Sequence, residues 1–271
     1  MKNLPVTWIL QSNAIGQGDY NALTKSIGTL GCRLETLRVI PFDHEPAEPL
    51  PDIDGPCIVY GSSGLLRIAR ENDWIPGGWD GPAFAAGETR DRLGEIALNG
   101  DAVTTTWSDA ARVARQAGWT KVFIRPDSET KEFPGKVYGL PDLEAWASKL
   151  VRVGYFDNND NAALVGQAWD LGREWRVFVV DGELVSFCQY ADGGIPTQSA
   201  GAPDHVLEFT NTVVSLYAPA PCFVVDIAEV PGRKGTDLRV VEFNSINSAG
   251  FYRCDIPRIV ERLSEFAVTC Q

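Results

Sequence analysis

A chain of 271 residues has room for one large domain or two to three small ones. Hydrophobic residues at 44% and charged residues at 22% are ordinary for a folded globular protein, and no apolar run approaches the roughly 18 residues that span a membrane. A formal net charge of −12 argues against a nucleic-acid-coating protein or a basic membrane binder, and its plainest meaning is solubility.

In chain order, Met1–Leu10 has one lysine and a short apolar patch, which predicts a strand over Val6–Leu10 and not a signal peptide. Tyr20–Gly31 has helical spacing, Leu34–Ile40 reads as a second strand, and Pro- and acid-rich Asp43–Pro56 as an exposed loop. Cys57–Tyr60 is a third strand, followed by Gly61-Ser62-Ser63-Gly64 and a short helix to Arg70. This alternation predicts a small α/β domain with a partly parallel sheet. Ser108–Gly118 is a predicted helix capped by Ser108 and ended by glycine, and Lys121–Arg125 a strand. Pro141–Val153 is helical by the spacing of Leu143, Trp146, Leu150 and Val153, and Ala162–Gln167 is a short strand. Trp175–Val180 and Leu184–Tyr190 flank Asp181-Gly182, a pair suited to a tight primed hairpin turn. A helix over Pro203–Tyr217, two strands around Asp226 and Glu242, and a closing helix over Ile256–Val268 complete the order.

The late acids carry the most information. Asp226 sits inside Phe223–Ile227, and Glu242 and Asn244 inside Val240–Asn244. A buried, unpaired carboxylate costs several kcal/mol or shifts its pKa until it is neutral. Glu242 and Asn244 are two apart, so on a strand they share a face. The turn-rich connector Pro231–Asp237 folds the two runs into a hairpin that brings Asp226 alongside them. Carboxylates with an amide oxygen form an incomplete Mg²⁺ site, of the kind completed by water and substrate phosphates. The competing reading pairs one or both acids with an arginine such as Arg239, or leaves them on an exposed edge.

Two basic features accompany the acids. Arg125 ends a strand and precedes a polar loop with Lys131, Gly135 and Lys136, where it would hold a phosphate bidentately or form an exposed basic turn. Arg176 opens an apolar strand with Glu174 on the same face. That pair would serve a phosphate or an oxyanion, with Glu174 orienting Arg176, or would be a structural ion pair. The six cysteines are scattered without a C-x-x-C and read as small core residues in a reducing cytoplasm. The only histidines, His44 and His205, have no metal-spaced partner, and neither G-x-x-x-x-G-K-[ST] nor G-x-G-x-x-G occurs.

Taken in order, these segments resemble the ATP-grasp superfamily. More narrowly, Phe123–Ser128, Glu174–Phe178, Val241–Asn244 and Asn247–Tyr252 resemble a clade of bacteria and phages named for two arginines and a lysine. The resemblance covers roughly Lys121–Asp255. It implies an α/β and α+β ATP-grasp fold: an N-terminal α/β pre-grasp domain over 1–110, a lid subdomain over 111–168, and a C-terminal subdomain over 169–271. It also implies an ATP- and Mg²⁺-dependent carboxylate–amine ligase working through an acylphosphate on small-molecule or peptide substrates, in the cytoplasm. Arg125, Lys131 and Arg176 would neutralise the triphosphate, with Glu174 beside Arg176 in the nucleotide site. Gln167, Ala168 and Trp169 would meet the adenine, and Asp226, Glu242 and Asn244 would hold Mg²⁺. Asn247, Ser248 and Tyr252 would hold the acid or the amine, or cap the last helix. A kinase built on the same nucleotide site, and a nucleotide-binding module without turnover, are the alternatives.

Overall fold

Four parallel strands, β1 (Thr7–Gln11), β2 (Arg33–Leu37), β3 (Cys57–Tyr60) and β4 (Pro76–Gly77), pair in the order β2-β1-β3-β4. The computed structural model describes residues 3–41, 45–126, 135–152, 162–232 and 235–270. Every residue of β1 and β3 is buried, as befits central parallel strands covered on both faces. Helices α1 (Gln17–Leu30) and α2 (Ser63–Glu71) follow β1 and β3, the order expected from the sequence. Gly31 ends α1 in the left-handed conformation (φ +71°), returning its N–H to the Gly28 carbonyl.

A second sheet has the order β11-β10-β9-β12-β13, built from β9 (Arg173–Val180), β10 (Glu183–Asp192), β11 (Ile195–Ala200), β12 (Cys222–Gly232) and β13 (Gly235–Ser245). Asp181 and Gly182 both have positive φ, 51° and 76°, and close the predicted two-residue hairpin between Val180 and Glu183. Helix α6 (Asp204–Leu216) follows β11, and α7 (Ile256–Thr269) closes the chain. Asp255 caps α7 by accepting from the Arg258 N–H at 3.0 Å, a task the sequence offered to Asn247, Ser248 or Tyr252.

The chain divides into two compact units, each made of discontinuous segments. The first holds 1–80, 173–227 and 244–271. One apolar core explains why these segments belong together: Trp8, Leu10, Leu23 and Ile58 pack with Phe178, Val224, Phe251, Ile259 and Leu263. The Trp8 indole N–H also donates to the buried Ser264 hydroxyl at 2.9 Å, fastening β1 to α7. Three contiguous domains, as expected from the sequence, would divide this core.

The second unit holds 81–172 and 228–243. Its antiparallel sheet has the order β5-β8-β6-β7, from β5 (Val103–Thr106), β8 (Ala162–Gln167), β6 (Lys121–Pro126) and β7 (Lys136–Gly139). Helices α4 (Trp107–Ala117) and α5 (Leu140–Arg152) lie in this unit, whose core joins Trp107, Ala110 and Ala114 to Val122, Leu143 and Val165. Thr106, not Ser108, caps α4 by accepting the Asp109 N–H. Helix α3 (Ala86–Leu93) and strands β4, β5, β7 and β11 are not foreseen by the sequence; they are short or, like β11, exposed throughout, and carry little periodicity. No helix among the described residues is long and apolar enough to cross a membrane.

Candidate functional site

Three strands of the first unit supply a buried polar cluster. Arg176 on β9 and Asp226 on β12 are 8% and 2% exposed, in strands that are otherwise apolar. The guanidinium grips the carboxylate bidentately, Nε to Oδ1 at 2.9 Å and Nη2 to Oδ2 at 2.7 Å, and Nη1 donates to the Gly250 carbonyl at 3.0 Å. Asn244 on β13 donates to Asp226 Oδ2 at 3.2 Å. Burial opposes the charge on Arg176, but Asp226 outweighs it and keeps the guanidinium protonated.

Two tyrosines cover this pair. Tyr190 and Tyr252 stack with centroids 5.2 Å apart, and the guanidinium carbon of Arg176 lies 5.7 Å and 5.0 Å from their ring centres. Tyr252 is half exposed and sits at φ +51°, a conformation that costs a bulky residue energy and marks a constrained site. The Tyr190 hydroxyl donates to Glu174 Oε2 at 2.8 Å. Burial raises the Glu174 pKa, the Tyr190 hydrogen bond opposes that shift, and the Asp226 charge adds to it. Glu174 therefore anchors Tyr190; Asp226 and the Gly250 carbonyl orient Arg176, the role the sequence reading gave to Glu174.

In the second unit, Arg125 at the end of β6 donates to Glu242 on β13 at 2.9 Å, with side chains 14% and 23% exposed. Asn99, Arg90 and Thr89 line the small cavity beside this pair. Both acids thus have arginine partners, as the competing sequence reading held, but the partners are Arg176 and Arg125. Arg239 lies 3.9 Å from Asp237 instead. Gln167 ends β8 exposed, and the Ala168 N–H donates to the Lys121 carbonyl. The half-buried Trp169 keeps an indole N–H out of water with no hydrogen-bond partner among the described residues. Lys131 and His44 lie outside the described residues.

The loop after β13 divides its three candidates. Asn247 is 1% exposed; its amide accepts from the Trp79 N–H at 2.9 Å and donates to the Val59 carbonyl at 2.7 Å, while its own carbonyl accepts the Gly61 N–H. It fastens the loop to the end of β3. Gly78 leaves room for it, since a Cβ there would stand 2.9 Å from the Asn247 amide carbon. Ser248 and Tyr252 are exposed.

Sequence reasoning missed Tyr190 and the Gly250 carbonyl. An unbroken register from the Asp181-Gly182 turn would put Glu174 opposite Gln189. Two register shifts, between Leu184 and Ser186 and between Gln189 and Ala191, place it opposite Ala191 instead. A bulge of this kind re-aims a side chain, here Tyr190. Among the described residues no three His, Cys, Asp or Glu side chains gather as a metal cluster. Asp226 and Asn244, in mutual contact, offer oxygen ligands of the kind Mg²⁺ takes, and Glu242 lies two residues back along β13.

A family model described as "ATP-grasp domain, R2K clade family 3" matches residues 76–263. No curated protein sequence matches the chain. Among solved structures, a D-cycloserine synthetase is similar at TM-score 0.63 and 12% identity, covering 97% of this chain and 99% of its own. A D-alanine–D-alanine ligase from Bacillus anthracis is similar at TM-score 0.63 and 12% identity, with 98% of each chain covered. The ATP-grasp ligase PsnB, complexed with a minimal precursor, is similar at TM-score 0.56 and 13% identity, covering 99% of this chain and 100% of its own. At these identities the likeness concerns the fold.

Proposed function

The chain belongs to family 3 of the R2K clade of ATP-grasp domains, and from that premise we propose that it is an ATP- and Mg²⁺-dependent carboxylate–amine ligase. The observation that carries the proposal is the buried cluster of Arg176, Asp226 and Asn244 on β9, β12 and β13. Its donor chemistry fits a nucleotide with its cation: oxygen ligands on Asp226 and Asn244, with Glu242 on the same strand, and a guanidinium matched to phosphate. When bound, Mg²⁺ would be held by the oxygens of Asp226, Asn244 and Glu242 and would neutralise charge developing on the phosphates.

Arg176 in the first unit and Arg125 in the second are each suited to bind and orient a phosphate. Each is matched by a carboxylate, Arg176 by Asp226 and Arg125 by Glu242, so binding a phosphate would exchange one anionic partner for another. The Trp169 indole N–H, without a hydrogen-bond partner among the described residues, is a donor suited to a purine ring nitrogen. Tyr252, strained and stacked, keeps water from one side of Arg176 and so strengthens its hold on an anion. The acid's carboxylate attacks the γ-phosphorus, ADP leaves, and the neutral amine displaces phosphate from the acylphosphate. Positioning and charge neutralisation do this work without a His or Cys nucleophile. Amino acids and peptides are the substrate classes, in keeping with the names of the similar ligases. The six cysteines in thiol form suit the ATP-rich cytoplasm.

The test is ADP release from ATP and Mg²⁺ with pools of amino acids and short peptides. Release requiring both a carboxylate and an amine supports ligation. A phosphorylated alcohol product indicates a kinase, and nucleotide binding without ADP from any pool indicates a module without turnover.

A further inference from the structure

Two buried cysteines meet beside Arg176. The sulfurs of Cys188 and Cys254 are 3.2 Å apart, with the residues 0% and 8% exposed. Cys188 on β10 lies opposite Arg176 in the β9–β10 register. Cys254 ends the loop after β13, and its thiol faces the Arg176 carbonyl at 3.9 Å, while the Cys188 thiol faces the Phe251 carbonyl at 3.8 Å. The same loop provides the Gly250 carbonyl that holds Arg176 and the Tyr252 ring that covers it. The thiols of Cys32 and Cys270 instead meet the Ser264 hydroxyl and the Phe266 carbonyl.

We propose that Cys188 and Cys254 form an oxidation site, a dithiol that a peroxide converts to a disulfide fastening the Gly250–Cys254 loop to β10. Sequence separation hides the pair, because its members are 66 positions apart. The geometry alone brings the sulfurs into contact, and the exposed neighbours Arg253 and Asp255 put Cys254 one residue from solvent.

Cys188 is the attacking sulfur. It accepts the Cys254 S–H at 3.2 Å, and this hydrogen bond, acting against burial, lowers its pKa; the same bond, with burial, raises that of Cys254. The Cys188 thiolate, its proton released to solvent, attacks one peroxide oxygen and breaks the O–O bond, giving a sulfenic acid and hydroxide. Hydroxide takes the Cys254 proton and becomes water. The Cys254 thiolate then attacks the sulfenic sulfur; the S–S bond forms and the hydroxyl leaves, regaining a proton from solvent as a second water. Two thiols are oxidised and one peroxide is reduced to two waters. The oxidised protein holds Gly250 and Tyr252 against the strand, and a reductant frees them.

The full chain is treated with hydrogen peroxide, denatured in acid, alkylated and weighed intact. Of the six cysteines, two should escape alkylation with the loss of two hydrogens, and fragmentation should find Cys188 joined to Cys254. Dithiothreitol should restore six alkylations. Cys188→Ser and Cys254→Ser should each abolish the bridge, and Cys222→Ser should retain it. Six alkylations after oxidation, or a bridge through any of the other four cysteines, overturns the proposal. Should either serine variant fail to fold, the fragment map of the unmodified chain decides alone.

Discussion

Arg176 holds Asp226 through both carboxylate oxygens, at 2.9 and 2.7 Å, although fifty positions separate them. Both groups are more than nine-tenths buried. Such a pair is weak evidence of net stabilisation, because desolvation offsets most of the attraction, yet removing one partner strands the other. Asp226→Asn is therefore expected to lower stability by about 3–5 kcal/mol as well as to abolish Mg²⁺-dependent ADP release. Urea unfolding measures the first effect, and Asp226→Asn combined with Arg176→Met should recover much of the loss. A midpoint unchanged by Asp226→Asn alone would show that the pair is not formed as described.

The Arg125–Glu242 pair is more open to water. Glu242→Gln should cost about 1–3 kcal/mol of stability, less than the Asp226 change. Its larger effect should fall on ligand binding. Calorimetry with a non-hydrolysable ATP analogue and Mg²⁺ should show at least about a tenfold weakening, some 1.4 kcal/mol. Equal affinity in the variant and the parent would remove Glu242 from the metal set.

Asn247 distinguishes a structural role from a substrate contact. Asn247→Ala leaves the Trp79 N–H and the Val59 carbonyl without their side-chain partner, at about 1–3 kcal/mol for each buried group left unsatisfied. Thermal or chemical unfolding should register that loss. The KM for either co-substrate, measured well below the new midpoint, should stay put; a large rise in KM with stability unchanged would reverse the assignment.

Glu174 predicts a pH dependence. Burial raises its folded pKa above the ordinary 4.5, so in that window the folded state binds more protons than the unfolded chain. The contribution is complete below about 4.5 and is lost as pH rises through the folded value. Glu174→Gln keeps an oxygen for the Tyr190 hydroxyl and removes the titration. The stability difference, parent minus variant, should therefore decline from acid pH upward across that window and then level off. A difference that rises with pH would mean that the carboxylate is stabilised, not penalised, by its surroundings.

Much of the architecture was legible locally. Alternating apolar strands and helices announced the N-terminal sheet, and Asp181-Gly182 named the β9–β10 hairpin of the second sheet, because turn chemistry and periodicity act over a few residues. Asp226, Glu242 and Asn244 stood out because acids in apolar strands demand a partner. Their immediate partners were not legible. Arg239, close in sequence, was the nearer guess, yet burial and strand order deliver Arg176 and Arg125. The division of the chain into units also escaped local reading, since residues near both termini share one core.

By itself the sequence determined which side chains alternate toward a common face and where the backbone must turn, since those depend on the two-residue strand period and on neighbours along the chain. Only the tertiary structure decided that two bulges bring Tyr190 over Arg176, that Asn247 is a staple between β3 and the last loop, and that Cys188 meets Cys254. Each is a contact between distant segments, set by sheet register and by the need to pair every buried polar group, and neither condition is written in any local stretch of residues.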